Sequence, residues 1–118
     1  MTGATRPCSE SAATATYGQL QSIYPQESPL ALWHSIGITV MPGIDDYGSK
    51  ETFTKADAAT VLKWAQANGI STLSFWALQR DNGGCVGTKG SDTCSGISQP
   101  TWFFSHAFEP ITSGGRPA

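Results

Sequence analysis

Residues 70–81 read ISTLSFWALQRD, and the placement of this stretch decides the fold. Asn68-Gly69 in front of it is a helix stop. Ile70, Leu73, Phe75, Trp76 and Leu78 then form a nearly continuous apolar run, the pattern of a strand covered on both faces, as in parallel sheets. The run breaks into Gln79-Arg80-Asp81-Asn82-Gly83-Gly84. In parallel α/β architectures the carboxyl ends of strands face the ligand. Trp76, Gln79, Arg80 and Asp81 are therefore expected at the rim of a site.

Upstream, the pattern predicts a second strand and the helix that joins the two. Residues 37–44 (GITVMPGI) are an apolar, β-branched strand candidate that Pro42 and Gly43 end by about Met41. A polar loop is expected over 45–52. Thr54-Lys55-Ala56-Asp57 then carries the Ser/Thr-x-x-acid signature of a helix start, and Phe53 before it is placed to pack on Ala58. Ala58, Val61, Leu62 and Ala65 share one face of a helix over 55–68. Strand, helix and strand together have the length of one βαβ crossover.

The flanks read as helices. Residues 9–24 predict one with Ala12, Ala13, Leu20 and Ile23 on a common side and Pro25 as stop. Ser28-Pro29 opens a short helix over 29–36 bearing Leu30, Leu32, Trp33 and Ile36, closed by Gly37. Residues 99–108 (QPTWFFSHAF) predict a last helix with Trp102, Phe103 and Phe108 turned inward. The domain plan is an N-terminal extension over 1–8, an α/β body over 9–111 and a small-residue tail over 112–118.

Composition narrows the function classes. The 118 residues are 39% hydrophobic and 14% charged, with a formal net charge of −2, which suits one small folded domain. Seven basic residues are scattered without forming a stripe, which disfavours binding to nucleic acid or to an anionic membrane. No apolar run has the length of a transmembrane helix, and residues 1–7 lack the apolar core of a signal peptide.

Cys85 and Cys94 bracket the polar segment VGTKGSDT. A disulfide would staple such a loop; free thiols and a metal site are the other readings. Metal is disfavoured because His34 and His106 lie far away and zinc sites want closer cysteine pairs. Cys8 has no partner in this scheme.

Two parallel strands leave unpaired edges and large aromatic side chains competing for little interior. The sequence is therefore expected to be part of a larger sheet, or a subunit completed by a partner. An indole beside hydrogen-bonding groups suits a sugar ring, which has apolar C–H faces and a polar rim.

Three strings, SIGITVMPGIDD (35–46), ETFTKADAATVLKWAQANGISTLSFWALQRDNGGC (51–85) and CSGISQPTWFFSHAF (94–108), together resemble the C-terminal end of the catalytic domain of bacterial-type family 18 chitinases. The resemblance covers roughly residues 17–108. The family carries G-V-T-P-M-I-G-V-N-D, then E-x-F-x-x-x-D-A, then L-S-M-W-S-x-x-R-D and a disulfide-closed loop ending C-S-G-I-x-Q. This sequence departs by V-M-P-G in the first motif and by Asp45 in place of Asn. The larger departure is that D-x-x-D-x-D-x-E, whose last Glu protonates the glycosidic oxygen, does not occur in it, nor does the Met-Asp/Asn-Tyr strand motif.

The resemblance implies the fold class α/β: the C-terminal portion of a (β/α)8 TIM barrel, its last two strands with their helices. It implies chitin or chitooligosaccharide as partner, the N-terminal barrel portion as a second, a secreted location, and no metal or organic cofactor. Trp76 becomes the floor under the sugar about to be cleaved, against the alternative of a core tryptophan. Met41 is either a neighbour of that floor or core. Asp45 and Asp46 contact substrate or serve the loop; adjacent on extended backbone, they cannot oppose one another as a glycosidase pair. Gln79 and Arg80 are substrate-contact candidates, with Arg80 and Asp81 also readable as an ion pair or loop anchors. His34 reads as surface or capping, His106 as the edge of the core.

Family 18 enzymes retain configuration by attack of the substrate's own acetamido oxygen. No catalytic residue is assigned here, and no chitinase activity is expected of this polypeptide alone. The rival readings are a non-catalytic carbohydrate-binding protein and a small structural α/β protein without ligand.

Overall fold

The computed structural model describes residues 8–112. Its organising unit is the predicted crossover. Strand β1 (Gly37–Val40) and strand β4 (Thr72–Phe75) pair in parallel, with Gly37 opposite Thr72 and Val40 opposite Phe75. Helix α3 (Lys55–Asn68) joins them. Its start is a capping box: the Thr54 hydroxyl accepts the Asp57 N–H at 3.0 Å, and the Asp57 carboxylate accepts the Thr54 N–H at 2.9 Å. Its end is Gly69 at φ 83°, with the Ile70 N–H bonded to the Ala65 carbonyl and the Gly69 N–H to that of Gln66, which satisfies carbonyls the helix leaves open. A side chain at position 69 would carry the steric cost of that left-handed turn.

Helix α1 (Cys8–Ile23) and helix α2 (Pro29–His34) precede β1, and helix α4 (Phe103–Phe108) closes the body, followed by a 3-10 turn at Glu109–Ile111. Ser28 caps α2 by accepting the Ala31 N–H at 3.1 Å. Between β1 and α3, β2 (Gly43–Ile44) pairs antiparallel with β3 (Thr52–Phe53) around a 3-10 turn at Ser49–Glu51, inside what the sequence predicted to be plain loop.

The core gathers Ala13 from α1, Ile38 and Val40 from β1, Ala58, Val61 and Ala65 from α3, and Phe104, Phe108 and Ile111 from the C-terminal turns. Leu73 and Phe75 pack against it from β4. Tyr17 stacks on Trp33 with ring centroids 4.2 Å apart, and Trp33 meets Trp64 edge-on.

Several expectations are corrected. The sheet is covered on one face only: Gly37, Thr39, Thr72 and Ser74 are exposed on the other, where the Thr39 and Ser74 hydroxyls meet at 2.6 Å. The reason lies in residues 72–75, which alternate polar and apolar, so the regular strand is shorter than the run 70–78 and Leu78 is exposed. On α1, Ala13 is buried but Ala12 and Ile23 are exposed; on α2, Leu30 is exposed. Phe104, rather than Trp102, enters the core. His106 is exposed and pairs with Glu109 at 3.2 Å instead of edging the core. The expected extension over 1–8 and tail over 112–118 fall almost wholly outside the described residues.

Candidate functional site

The site is built where β4 ends. The Trp76 N–H bonds to the Val40 carbonyl at 2.9 Å, which carries the ladder one residue beyond the regular strand. Alternation then sends Trp76 to the same side as Thr72 and Ser74. Its side chain is 55% exposed, an unusual state for so large an apolar group. The Trp76–Ala77 peptide is cis. A 3-10 turn at Leu78–Arg80 follows and drives Arg80 and Asp81 into the interior, both with no exposed surface.

Arg80 and Asp81 are anchors, each to a different part of the chain. The Arg80 guanidinium donates to the carbonyls of Pro42 (2.5 Å) and Ile44 (3.2 Å) in the segment after β1. It also donates to those of Cys94 (2.8 Å) and Ser91 in the loop after β4. Burial pushes its pKa below the ordinary value, and the Asp46, Asp92 and Asp45 carboxylates oppose that shift. Asp81 accepts the backbone N–H groups of Phe104 (3.0 Å) and Ser105 (2.8 Å), the Ser105 hydroxyl (2.7 Å) and the Gln99 amide (2.8 Å). It thereby caps α4 from outside. The anchor reading of the pair holds; their partners are backbone and neutral groups, not one another.

The loop that follows the two anchors is closed by the Cys85–Cys94 disulfide, with Cα atoms 5.8 Å apart. Cys8 is free and exposed. Asn82 staples the loop from within, donating to the Gln79 and Thr93 carbonyls and accepting the Gly84 N–H. Ile44 N–H to Ser95 carbonyl (2.8 Å) and Gly90 N–H to Ile44 carbonyl (3.2 Å) tie it to the β2 segment. Sequence reasoning did not foresee Asn82; an Asn two residues before a Gly is a turn signal that could have found it.

The remaining candidates separate into two groups. Met41, half-buried, and Asp45 line a cleft of about 400 Å³ with Cys8, Thr39, Lys50 and Asp57. Asp45 also accepts the Tyr47 N–H at 2.9 Å, closing its own turn. Asp46 and Gln79 are exposed, and neither lines that cleft, nor does Trp76. Arg80 has no surface with which to touch a ligand directly. Trp102, expected inward, is 45% exposed and has a left-handed backbone at φ 67°, ψ 19°, at the start of α4. Among the described residues no group of His, Cys, Asp or Glu is arranged to hold a metal ion, and no helix is long and apolar enough to cross a membrane.

An exposed indole at the end of a parallel strand, a mixed polar cleft beside the neighbouring strand, and two loops fixed by buried polar groups make an arrangement suited to holding a flat, partly apolar ligand. Solved structures share the fold. The chain is similar to the catalytic domain of a hyperthermophilic chitinase from Pyrococcus furiosus, and to catalytic-site mutants of active domain 2 of that organism's chitinase, one set complexed with chito-oligosaccharides. Each match has 36% identity and a TM-score of 0.81, and covers 87% of this chain. The chain spans 33% of the length of those structures. No family model and no curated protein matches it. Its mixed helix-and-strand fold is thus that of part of a chitinase catalytic domain.

Proposed function

We propose that this chain is the C-terminal portion of a chitinase barrel of the family 18 type, contributing strands seven and eight and one wall of the sugar site. The observation that carries this reading is Trp76: an exposed indole one residue beyond β4, on the uncovered face of the sheet. In a closed barrel that face, with Gly37, Thr39, Thr72 and Ser74, turns inward, and the helices on the other face form the outer ring. The likeness to chitinase catalytic domains supports the same assignment.

In this reading Trp76 stacks beneath an N-acetylglucosamine ring, Met41 and Asp45 line the separate cleft beside β1, and Gln79 and Asp46 offer polar groups from the exposed loops. Arg80 acts through the loops it holds. The substrate's acetamido oxygen supplies the nucleophile, so no second carboxylate is required of the protein. The proton donor of the D-x-x-D-x-D-x-E signature is absent from these 118 residues, so the hydrolytic step belongs to the barrel completed by its N-terminal units. The family resemblance carries a secreted location with it as part of the same proposal.

The test is retention on chitin beads, comparing the parent chain with Trp76→Ala, together with an assay for chitobiose release. Retention that depends on Trp76, with no release of chitobiose, is the expected result. Retention indifferent to Trp76 sinks the platform. Release at the rate of an intact chitinase sinks the assignment of the acid to another segment.

A further inference from the structure

The turn between α1 and α2 builds a second concavity, away from the sheet end that carries Trp76. Tyr24 follows α1 directly, and its N–H still bonds to the Leu20 carbonyl at 2.8 Å, so it keeps the helical spacing. Tyr17, Gln21 and Tyr24 therefore share one side of the helix, at i, i+4 and i+7. Pro25 then opens a β-turn closed by the Glu27 N–H on the Tyr24 carbonyl at 3.1 Å, which folds Glu27 back toward the helix end. Ser28 caps α2 and Pro29 occupies its first turn, so the corner is set by local geometry and stands preformed. Leu30 lies beside Gly69, just before β4, which puts this corner at the amino ends of the strands.

The cavity measures about 340 Å³, and its walls include Tyr17, Gln21, Tyr24, Glu27 and the buried Leu32. Its acceptors are open. Among the described residues the Glu27 carboxylate takes no hydrogen bond and no ion pair. The Gln21 amide donates to the Tyr17 hydroxyl at 3.2 Å, which leaves its oxygen available. Tyr17 is steadied by its stack on Trp33, whereas Tyr24, with Ile23 and Leu30 on the same corner, is exposed and adds nothing to the core. An exposed apolar cluster on a rigid turn marks an interaction surface. Two phenol rings and an unpaired carboxylate, with no cation in the lining, complement a flat organic cation on an apolar stem.

We infer that the α1–α2 corner is a docking site for an arginine side chain presented by a partner polypeptide. The guanidinium plane stacks on a tyrosine face, its edge donates to the Glu27 carboxylate and the Gln21 oxygen, and its methylene stem covers the apolar wall. A lysine ammonium satisfies the carboxylate but has no plane to stack. The inference stands apart from the sugar reading of Trp76, which uses the opposite end of the strands.

The test is an NMR titration of the isotope-labelled full chain with N-acetyl-arginine amide. The corresponding citrulline amide serves as the neutral isostere and the corresponding lysine amide as the other cation. Saturable shifts confined to residues 17–32 are expected with arginine, with citrulline about tenfold weaker and lysine about threefold weaker. Glu27→Gln is expected to weaken arginine about tenfold and Tyr24→Ala about fivefold, both variants melting with the parent because neither side chain is in the core. Absence of saturable binding overturns the inference, as do equal affinities for arginine and citrulline or for arginine and lysine. Undiminished binding to Glu27→Gln overturns it too. If a hexamer of N-acetylglucosamine shifts the same amides and arginine does not, the corner belongs to sugar and the inference fails. If the chain self-associates in sedimentation through Tyr24 without binding arginine, the occupant is a second copy and it fails likewise.

Discussion

The Asp81 carboxylate takes both donors of Ser105, the backbone N–H at 2.8 Å and the hydroxyl at 2.7 Å. Its other oxygen takes the Phe104 N–H and the Gln99 amide. Four donors converge on one fully buried side chain, so the start of α4 is secured by a residue more than twenty positions upstream. Substituting Asn leaves an amide NH2 facing either the Phe104 or the Ser105 N–H, whichever way the amide turns. Asp81→Asn is therefore expected to destabilise the protein by about 3 kcal/mol, the scale of lost hydrogen bonds to a charged acceptor. The midpoint of urea unfolding measures it; a change below about 1 kcal/mol contradicts the role assigned to this cap.

Arg80 presents the complementary case, one donor group serving four carbonyls. Arg80→Met leaves the carbonyls of Pro42, Ile44, Ser91 and Cys94 without that partner in a buried setting, and leaves Asp45, Asp46 and Asp92 without their nearby positive charge. A loss of about 3 kcal/mol or more is expected. Arg80→Lys is expected to recover less than half of it, because a single ammonium cannot bridge two loops as the planar fork does. Limited proteolysis provides a local readout, with faster cleavage within residues 82–98 in both variants. Equal stability of Arg80→Lys and the parent would show that charge, not geometry, is what the position supplies.

These two anchors mark the boundary of what the sequence discloses. Helix α3 was legible to the residue because both of its ends are local: Thr54 with Asp57, and Gly69 after Asn68. The parallel pairing of β1 with β4 followed from the length of the crossover. That Arg80 and Asp81 anchor something was readable from their position after an apolar run, but their partners were not, since these lie between 11 and 38 residues away. The outward turn of Trp102 was hidden for the same reason: its backbone is set by Asp81, and its neighbours Phe103 and Phe104 advertise a core. Of the candidate site, the position of Trp76 at the carboxyl end of the second strand was legible, and it lies exposed one residue beyond β4. The uncovered sheet face is hidden in the sequence because Trp76 and Leu78 extend the apolar pattern of Leu73 and Phe75 into what looks like one buried run.

Glycine substitutions separate positions where the backbone is committed from those where it is not. Gly43 sits at φ 78°, and a methyl group there would fall 2.0 Å from the Ser95 carbonyl oxygen, colliding with backbone while also bearing left-handed strain. Gly43→Ala is expected to cost more than about 2 kcal/mol and to loosen the contact between β2 and the cysteine loop. Gly18, in the middle of α1, has nothing near its missing side chain. Gly18→Ala is expected to stabilise by about 0.5–1 kcal/mol. Thermal melts of the two variants, run side by side, check both signs at once.

The disulfide offers a prediction that joins stability to binding. Cys85 and Cys94 are nine residues apart, so the bridge closes a short loop, and removing it is expected to cost about 2.5 kcal/mol through the entropy returned to the unfolded chain. The carbonyls of Ser91 and Cys94 that hold Arg80 lie in that same loop, and so does the Gly90 N–H bonded to the Ile44 carbonyl. Loosening it therefore releases the segment carrying Asp45 as well. The double variant Cys85→Ser, Cys94→Ser is expected to lose stability by that amount and to bind N-acetylglucosamine oligomers more weakly, with Trp76 itself untouched. Binding measured well below the unfolding transition, where the folded fraction is complete, isolates the second effect. Full affinity there would show that the anchored loop supports the fold of the rim without shaping its ligand contacts.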